Sequence, residues 1–148
     1  MSKVRNAEEL LARYASGERD FTGASLISAD LIGADLRAVN MRNANLMFAN
    51  LSGANLSEAN LGGADLNATK LISANLRGAN LWEANLIGAD LSFADLTEAN
   101  LSGAFLWEAK LKNARLCQAD LSEAKMMGAD WMGADLAGAT LPDGTQHH

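Results

Sequence analysis

The chain has 148 residues, with 12 basic against 18 acidic side chains and a formal net charge of −6. That length supports one domain with a continuous core, and the acidic excess argues against nucleic-acid binding through phosphate neutralisation. The lone cysteine, Cys117, cannot close an internal disulfide, so nothing calls for an oxidising compartment.

Residues 1–19 form a first segment. It lacks the unbroken apolar stretch of a secretory signal, and no stretch of the chain is apolar and long enough to span a bilayer, so a cytoplasmic location with no membrane partner is expected. Residues 6–17 read as a short helix. Asn6 suits the N-cap, with Glu9 three residues on as in a capping box, and Gly17 suits the C-terminal stop. Leu10, Leu11 and Tyr14 are expected to share an apolar face that covers whatever follows.

Internal repetition dominates from residue 20 to 141. Every fifth residue from Phe21 to Leu141 is large and apolar: 21 of these 25 are Leu, with Phe21, Met41, Met126 and Trp131 the rest. Two residues before each large residue from Leu26 onward stands Ala, with Val39 and Thr69 the exceptions; the slot between them is Asp or Asn in 18 of 25 cases. A period of five fits neither regular element. On an α-helix the Leu residues would drift around the cylinder, and on a strand they would alternate between faces. The chain must therefore turn a corner within every repeat. Ten of the 13 glycines fall two residues after the central apolar residue, where a turn demands positive φ.

Four corners close a square coil of 20 residues. Residues 20–139 then make about six coils, a rod about 29 Å long at about 4.8 Å per coil. Charge spacing agrees with a coil of 20, because stacked like charges would repel. None of the nine Asp residues in the slot before the central position lies 20 from another, and one column runs Lys70, Asp90, Lys110, Asp130. Another column, Asn40, Asn60, Asn80, Asn100, reads as an amide ladder.

The unit Ala-(Asp/Asn)-Leu-x-x resembles the motif of the pentapeptide-repeat family over about 120 of the 148 residues. The resemblance implies an all-β solenoid, a right-handed quadrilateral β-helix, with the segment before it as an N-terminal capping α-helix. Handedness comes from the resemblance alone.

Residues 142–148 form a short tail. Pro142 lacks an N–H donor and is expected to discourage further strand addition, while Met126 and Trp131 are expected to close the bore. His147 and His148 read as tail residues rather than a metal site.

No catalytic constellation is expected. The repeats hold no His to partner Cys117, no base accompanies the outward Ser residues, and the glycines are spaced by turns rather than clustered at a helix start. No cofactor, metal or enzymatic activity is therefore expected. The outward slot after the central residue is apolar in five of six coils on one side, as Ile27, Met47, Ile87, Trp107 and Met127, with Phe48 and Phe105 beside them. Such a stripe suits a protein partner or a second copy of the chain; the C-terminal end is the other place where two copies could meet. The expected role is a protein–protein interaction or structural module. The resemblance supplies an alternative, since some family members match duplex DNA in size and charge and bind DNA gyrase, protecting it from quinolones. Residues 20–143 carry 15 acidic and eight basic side chains, whereas about 29 Å of duplex carries about 17 negative charges.

Overall fold

The structure, a computed structural model, describes residues 3–148. Helix α1 spans Ala7–Ala15. Asn6 Oδ1 accepts the Glu9 N–H at 2.8 Å, so one orphan donor of the first turn is satisfied as expected. The return bond of a capping box is not made to Asn6; the Glu9 carboxylate turns to the Arg5 N–H at 3.4 Å and to Arg13 at 3.2 Å. Gly17 follows the helix at φ 102°, in the left-handed region that ends many helices.

Leu10 is wholly buried and Tyr14 half-buried against the core. They are four residues apart and share one face of α1. Leu11 was expected on that face, but it is exposed, because one residue turns the helix about 100° and carries it off the contact. The Tyr14 hydroxyl donates to the Arg37 carbonyl at 2.8 Å, and the Arg13 guanidinium stands 5.6 Å from the centre of the Phe21 ring. Val4, which the sequence pattern did not single out, is buried, and its carbonyl accepts the Ser25 N–H at 2.9 Å.

From Asp20 onward the chain makes parallel bridges between residues 20 apart, from Asp20 with Asn40 to Asp120 with Thr140. They fall in four columns, which define four sides: side one begins at Asp20, side two at Ser25, side three at Asp30 and side four at Asp35. Each repeat contributes a single bridged residue before it turns. On side two, Leu26 donates its N–H to Asn45 O at 2.7 Å, Ser28 to Met47 O at 2.8 Å, and Asn45 back to Ala24 O at 2.8 Å. Every residue in the corner slot from Gly23 to Gly138 has positive φ, whether or not it is glycine.

The central Leu and the preceding Ala both point inward and are buried along the rod. Large and small side chains interleave, which lets a narrow bore reach close packing. Each buried Leu contributes about 1.5–3 kcal/mol relative to exposure. Thr69 stands in an Ala slot, fully buried, and its hydroxyl donates to the Leu46 carbonyl at 2.7 Å, so the extra polar atom is satisfied.

The C-terminal end departs from expectation. Trp131 is 36% exposed, and Met126 and Leu136 are half-buried against the core, because no further coil stacks on theirs. Pro142 does not end strand addition. Its carbonyl accepts the Glu123 N–H at 2.9 Å, and the chain then folds back so that Gln146 pairs antiparallel with Thr140. His147 donates to Ala139 O and accepts from Gly138 N–H, both at 2.8 Å. Among the described residues no helix is long and apolar enough to cross a membrane.

Candidate interaction face

The corner chemistry sets which outward slots are free to vary. In all 18 repeats with Asp or Asn before the central residue, Oδ1 accepts the N–H two residues on, as from Asn80 to Trp82 at 3.0 Å and from Asn45 to Met47 at 3.1 Å. This local bond, like that of an Asx turn, satisfies a corner donor that the inter-coil ladder does not reach. The sequence reading treated this slot as a matter of charge and of amide stacking. The Asn column of side one holds a single inter-coil side-chain bond, Asn80 Nδ2 to Asn60 Oδ1 at 3.3 Å, because the oxygens are engaged at their own corners.

Phe105 occupies that slot on side two, where it cannot accept the Trp107 N–H. Instead the Phe105 and Trp107 rings meet edge to face, centroids 5.8 Å apart at 65°, and Lys125 Nζ stands 5.3 Å from the Phe105 ring centre. Edge-to-face pairs contribute about 0.5–1.5 kcal/mol beyond burial, and an exposed cation over a ring about 0.5–1 kcal/mol. The ring cluster thus occupies a slot that 18 of the 25 repeats spend on the corner.

The structure stacks the expected stripe. The carbonyls of Met47, Asn67, Ile87, Trp107 and Met127 accept, in turn, from corner N–H groups of the preceding coil, beginning with Ser28 and ending with Glu108. Ile27, Phe48, Trp107 and Met127 are exposed, and Met47, Ile87 and Phe105 half-buried. Ile27, Met47 and Phe48 gather towards α1, Phe105, Trp107 and Met127 gather towards the other end, and half-buried Asn67 separates the two groups. Phe48 stands at a corner with φ 60°, a conformation that costs a non-glycine residue about 1–2 kcal/mol. Met132, 70% exposed, was not singled out by the pattern; its signal was its place in the last coil, immediately after a Trp in a Leu slot.

Side four is charged by contrast. Asp95 receives Arg77 at 3.3 Å and Arg115 at 3.7 Å. Burial pushes the Asp95 carboxyl up, but bonds from the Thr97 hydroxyl and N–H and from Arg77, with the Arg115 charge, leave it lowered overall. On the same side burial, a hydrogen bond to Asp135 and the Asp135 charge hold the Cys117 thiol above its ordinary value, which disfavours the nucleophilic thiolate. Among the described residues no group of three His, Cys, Asp or Glu side chains is placed to hold a metal ion.

A family model described as pentapeptide repeats matches in eight copies, over residues 20–43, 44–82, 64–103 and 118–143. The chain belongs to the pentapeptide-repeat family. It is similar to the solved pentapeptide-repeat protein alr5209 from Nostoc Pcc 7120, at 29% identity and a TM-score of 0.70, covering 91% of this chain and 98% of that one. It is also similar to Rfr23, a pentapeptide-repeat protein from the cyanobacterium Cyanothece 51142, at 28% identity and a TM-score of 0.52, covering 87% and 95%. The pentapeptide-repeat proteins among its structural neighbours have the right-handed quadrilateral β-helix fold. No curated protein matches the chain.

Proposed function

We propose that this pentapeptide-repeat chain is a non-enzymatic protein-binding module whose docking surface is side two. In this reading residues 20–141 form a rod of six coils, α1 within residues 1–19 covers one end, and residues 142–148 are a tail. The observation that carries the reading is the Phe105–Trp107 pair with Lys125 against it. Aromatic side chains that are half-exposed, preorganised by mutual contact and bordered by a cation are typical anchors of protein interfaces. Their neighbours Ile87 and Met127 extend the apolar surface along the rod.

The DNA-mimic alternative is supported less well. Side three interrupts its negative column with Lys70 and Lys110, and side four carries Arg115 between Asp95 and Asp135. A mimic requires a continuous field of one sign.

The test is affinity capture on the immobilised chain, comparing Trp107→Glu on side two with Arg77→Glu on side four. Trp107→Glu should abolish capture while the far-UV spectrum holds and the melting temperature falls by no more than the few degrees that the lost ring contact implies, and Arg77→Glu should retain capture. Loss with both variants, or with neither, removes the side-two assignment. Salt-sensitive inhibition of gyrase supercoiling by the wild-type chain would instead favour the mimic.

A further inference from the structure

Seven of the 25 repeats lack Asp or Asn in the slot before the central residue: Ser25, Lys70, Phe105, Lys110, Arg115, Lys125 and Thr140. Such a repeat makes no Asx bond to the N–H two residues on, and that donor stays open unless another acceptor reaches it. Thr140 is followed at that distance by Pro142, which has no N–H. Ser25, Lys70, Lys110 and Arg115 are stacked only against Asp or Asn, so each leaves an isolated corner. Phe105 and Lys125 are stacked on each other. Theirs are the two consecutive corners without an oxygen, and among the described residues nothing accepts the N–H of Trp107 or of Met127.

These two donors stand one coil apart, about 4.8 Å, on exposed residues. Lys125 Nζ lies 5.3 Å from the Phe105 ring centre and makes no ion pair among the described residues. Two backbone donors and an ammonium therefore meet at the edge-to-face pair of rings. Two donors one coil apart require two acceptors. A carboxylate supplies two oxygens and no donor, whereas an amide offers one oxygen and sets its NH2 against the second N–H. The ammonium favours the same choice, because a bond between charged partners is the stronger one. Glu83 and Glu123 on one border of this face, and Glu108 on the other, are exposed and repel free anions. Bare phosphate is thereby disfavoured. A carboxylate carried in by an apolar segment is not, since packing on Trp107 supplies the attraction.

We propose that Phe105, Trp107, Lys125 and Met127 form a receptor for an acidic side chain, Asp or Glu, of a partner peptide whose apolar neighbour packs on the rings. The carboxylate takes the place of the two corner oxygens that Phe105 and Lys125 do not supply, so the partner completes the bonding rule that the rest of the rod satisfies internally. This rests on the side-two reading and adds the chemistry of the group bound there.

The probe is a library of short random peptides displayed on phage and selected on the immobilised full chain; retained peptides are remade synthetically and their dissociation constants measured by fluorescence anisotropy. Peptides that bind wild type but not Trp107→Ala should carry Asp or Glu beside an apolar residue. Exchanging that acid for its amide should weaken binding by at least about tenfold, as for a charge-assisted bond. Lys125→Asn, which supplies an oxygen to the Met127 corner and removes the ammonium, should weaken the same peptides by about tenfold while the urea midpoint of the chain does not fall. Lys70→Asn makes the identical exchange at an isolated corner on side three and should leave affinity unchanged. Inorganic phosphate should not displace the peptides; displacement would make this a general anion site and overturn the peptide assignment. Trp107-dependent peptides that lack an acid, tolerate its amide, or bind Lys125→Asn as tightly as wild type would overturn the proposal and leave the side-two reading standing. Binders indifferent to Trp107→Ala, or no binders at all, would overturn both.

Discussion

Asn60 isolates the corner bond that the sequence pattern did not explain. Its Oδ1 accepts the Gly62 N–H at 3.0 Å and the Asn80 side-chain amide at 3.3 Å, and Gly62 is buried. Replacing Asn60 with Ala removes this one acceptor, breaks both bonds and leaves a buried backbone donor unsatisfied, which costs about 1–3 kcal/mol. The inter-coil bonds of residue 60, Asn60 N–H to Val39 O and Leu61 N–H to Asn80 O, belong to the backbone and survive the change. Asn60→Asp keeps the accepting Oδ1 and stands between uncharged Asn40 and Asn80, so its cost should stay within about 0.5 kcal/mol. Lys110→Ala supplies the second control, because Lys110 occupies the same slot on side three and has no acceptor to lose; it too should fall within about 0.5 kcal/mol. Urea unfolding followed by far-UV circular dichroism measures all three. If Asn60→Ala proves no worse than Lys110→Ala, the slot is chosen for something other than the corner bond, and the account of why Phe105 is exceptional fails with it.

Leu76→Ala in the middle of the rod should cost about 2–5 kcal/mol by urea unfolding, since Leu76 is fully buried, whereas outward-facing Ile72→Ala should change stability by at most about 0.5 kcal/mol; similar values would mean that the inward–outward assignment is wrong. The Asp95 carboxyl is lowered in the folded chain, so its contribution is present above the unfolded carboxylate value of about 3.9 and is lost as pH falls through the lower folded value. Denaturation midpoints of the wild type should therefore decline below about pH 4, and Asp95→Asn should flatten that decline; equal acid slopes for the two chains would contradict the sign.

The interval between stacked residues was legible because it is written in charge as well as in apolar spacing. The bridges that join Lys70 to Asp90 and Asp90 to Lys110 are the columns that the absence of stacked acids implied. The inward Leu and Ala were legible for the same reason that they are buried, since a five-residue period leaves them no other consistent side. The reason for Asp and Asn was not legible, because a side-chain oxygen bonding two residues ahead leaves no trace in a period of 20. The ends were read partly. Asn6 and Leu10 carry local helix signals, but Val4 enters the core alone and Leu11 leaves the apolar face by a single helical turn angle. The returning tail lay beyond reach because its pairing opposes the direction of every other bridge.

The separation of core from surface also explains why departures from the pattern carry the functional information. Stability in a solenoid comes from each coil and its two neighbours, and here it resides in inward Leu and Ala, corner φ, and the Asp or Asn oxygen. The residue after the central position takes part through its backbone alone, as Trp107 and Met127 do with their carbonyls, so its side chain is free for a partner. The slot before it is not free when a corner bond is at stake. Phe105 gives up that bond and makes contact with Trp107 and Lys125 instead, so the substitution costs the fold a bond of about 0.5–1.5 kcal/mol in order to place a ring on the surface. A side chain retained against the local preference of the fold marks function more sharply than an exposed Ile27 or Ile32, which the fold tolerates without loss. Among the residues of side two, the pair at 105 and 107 is therefore the one whose removal should cost binding while costing the rod little more than the ring and cation contacts themselves, about 0.5–1.5 and 0.5–1 kcal/mol.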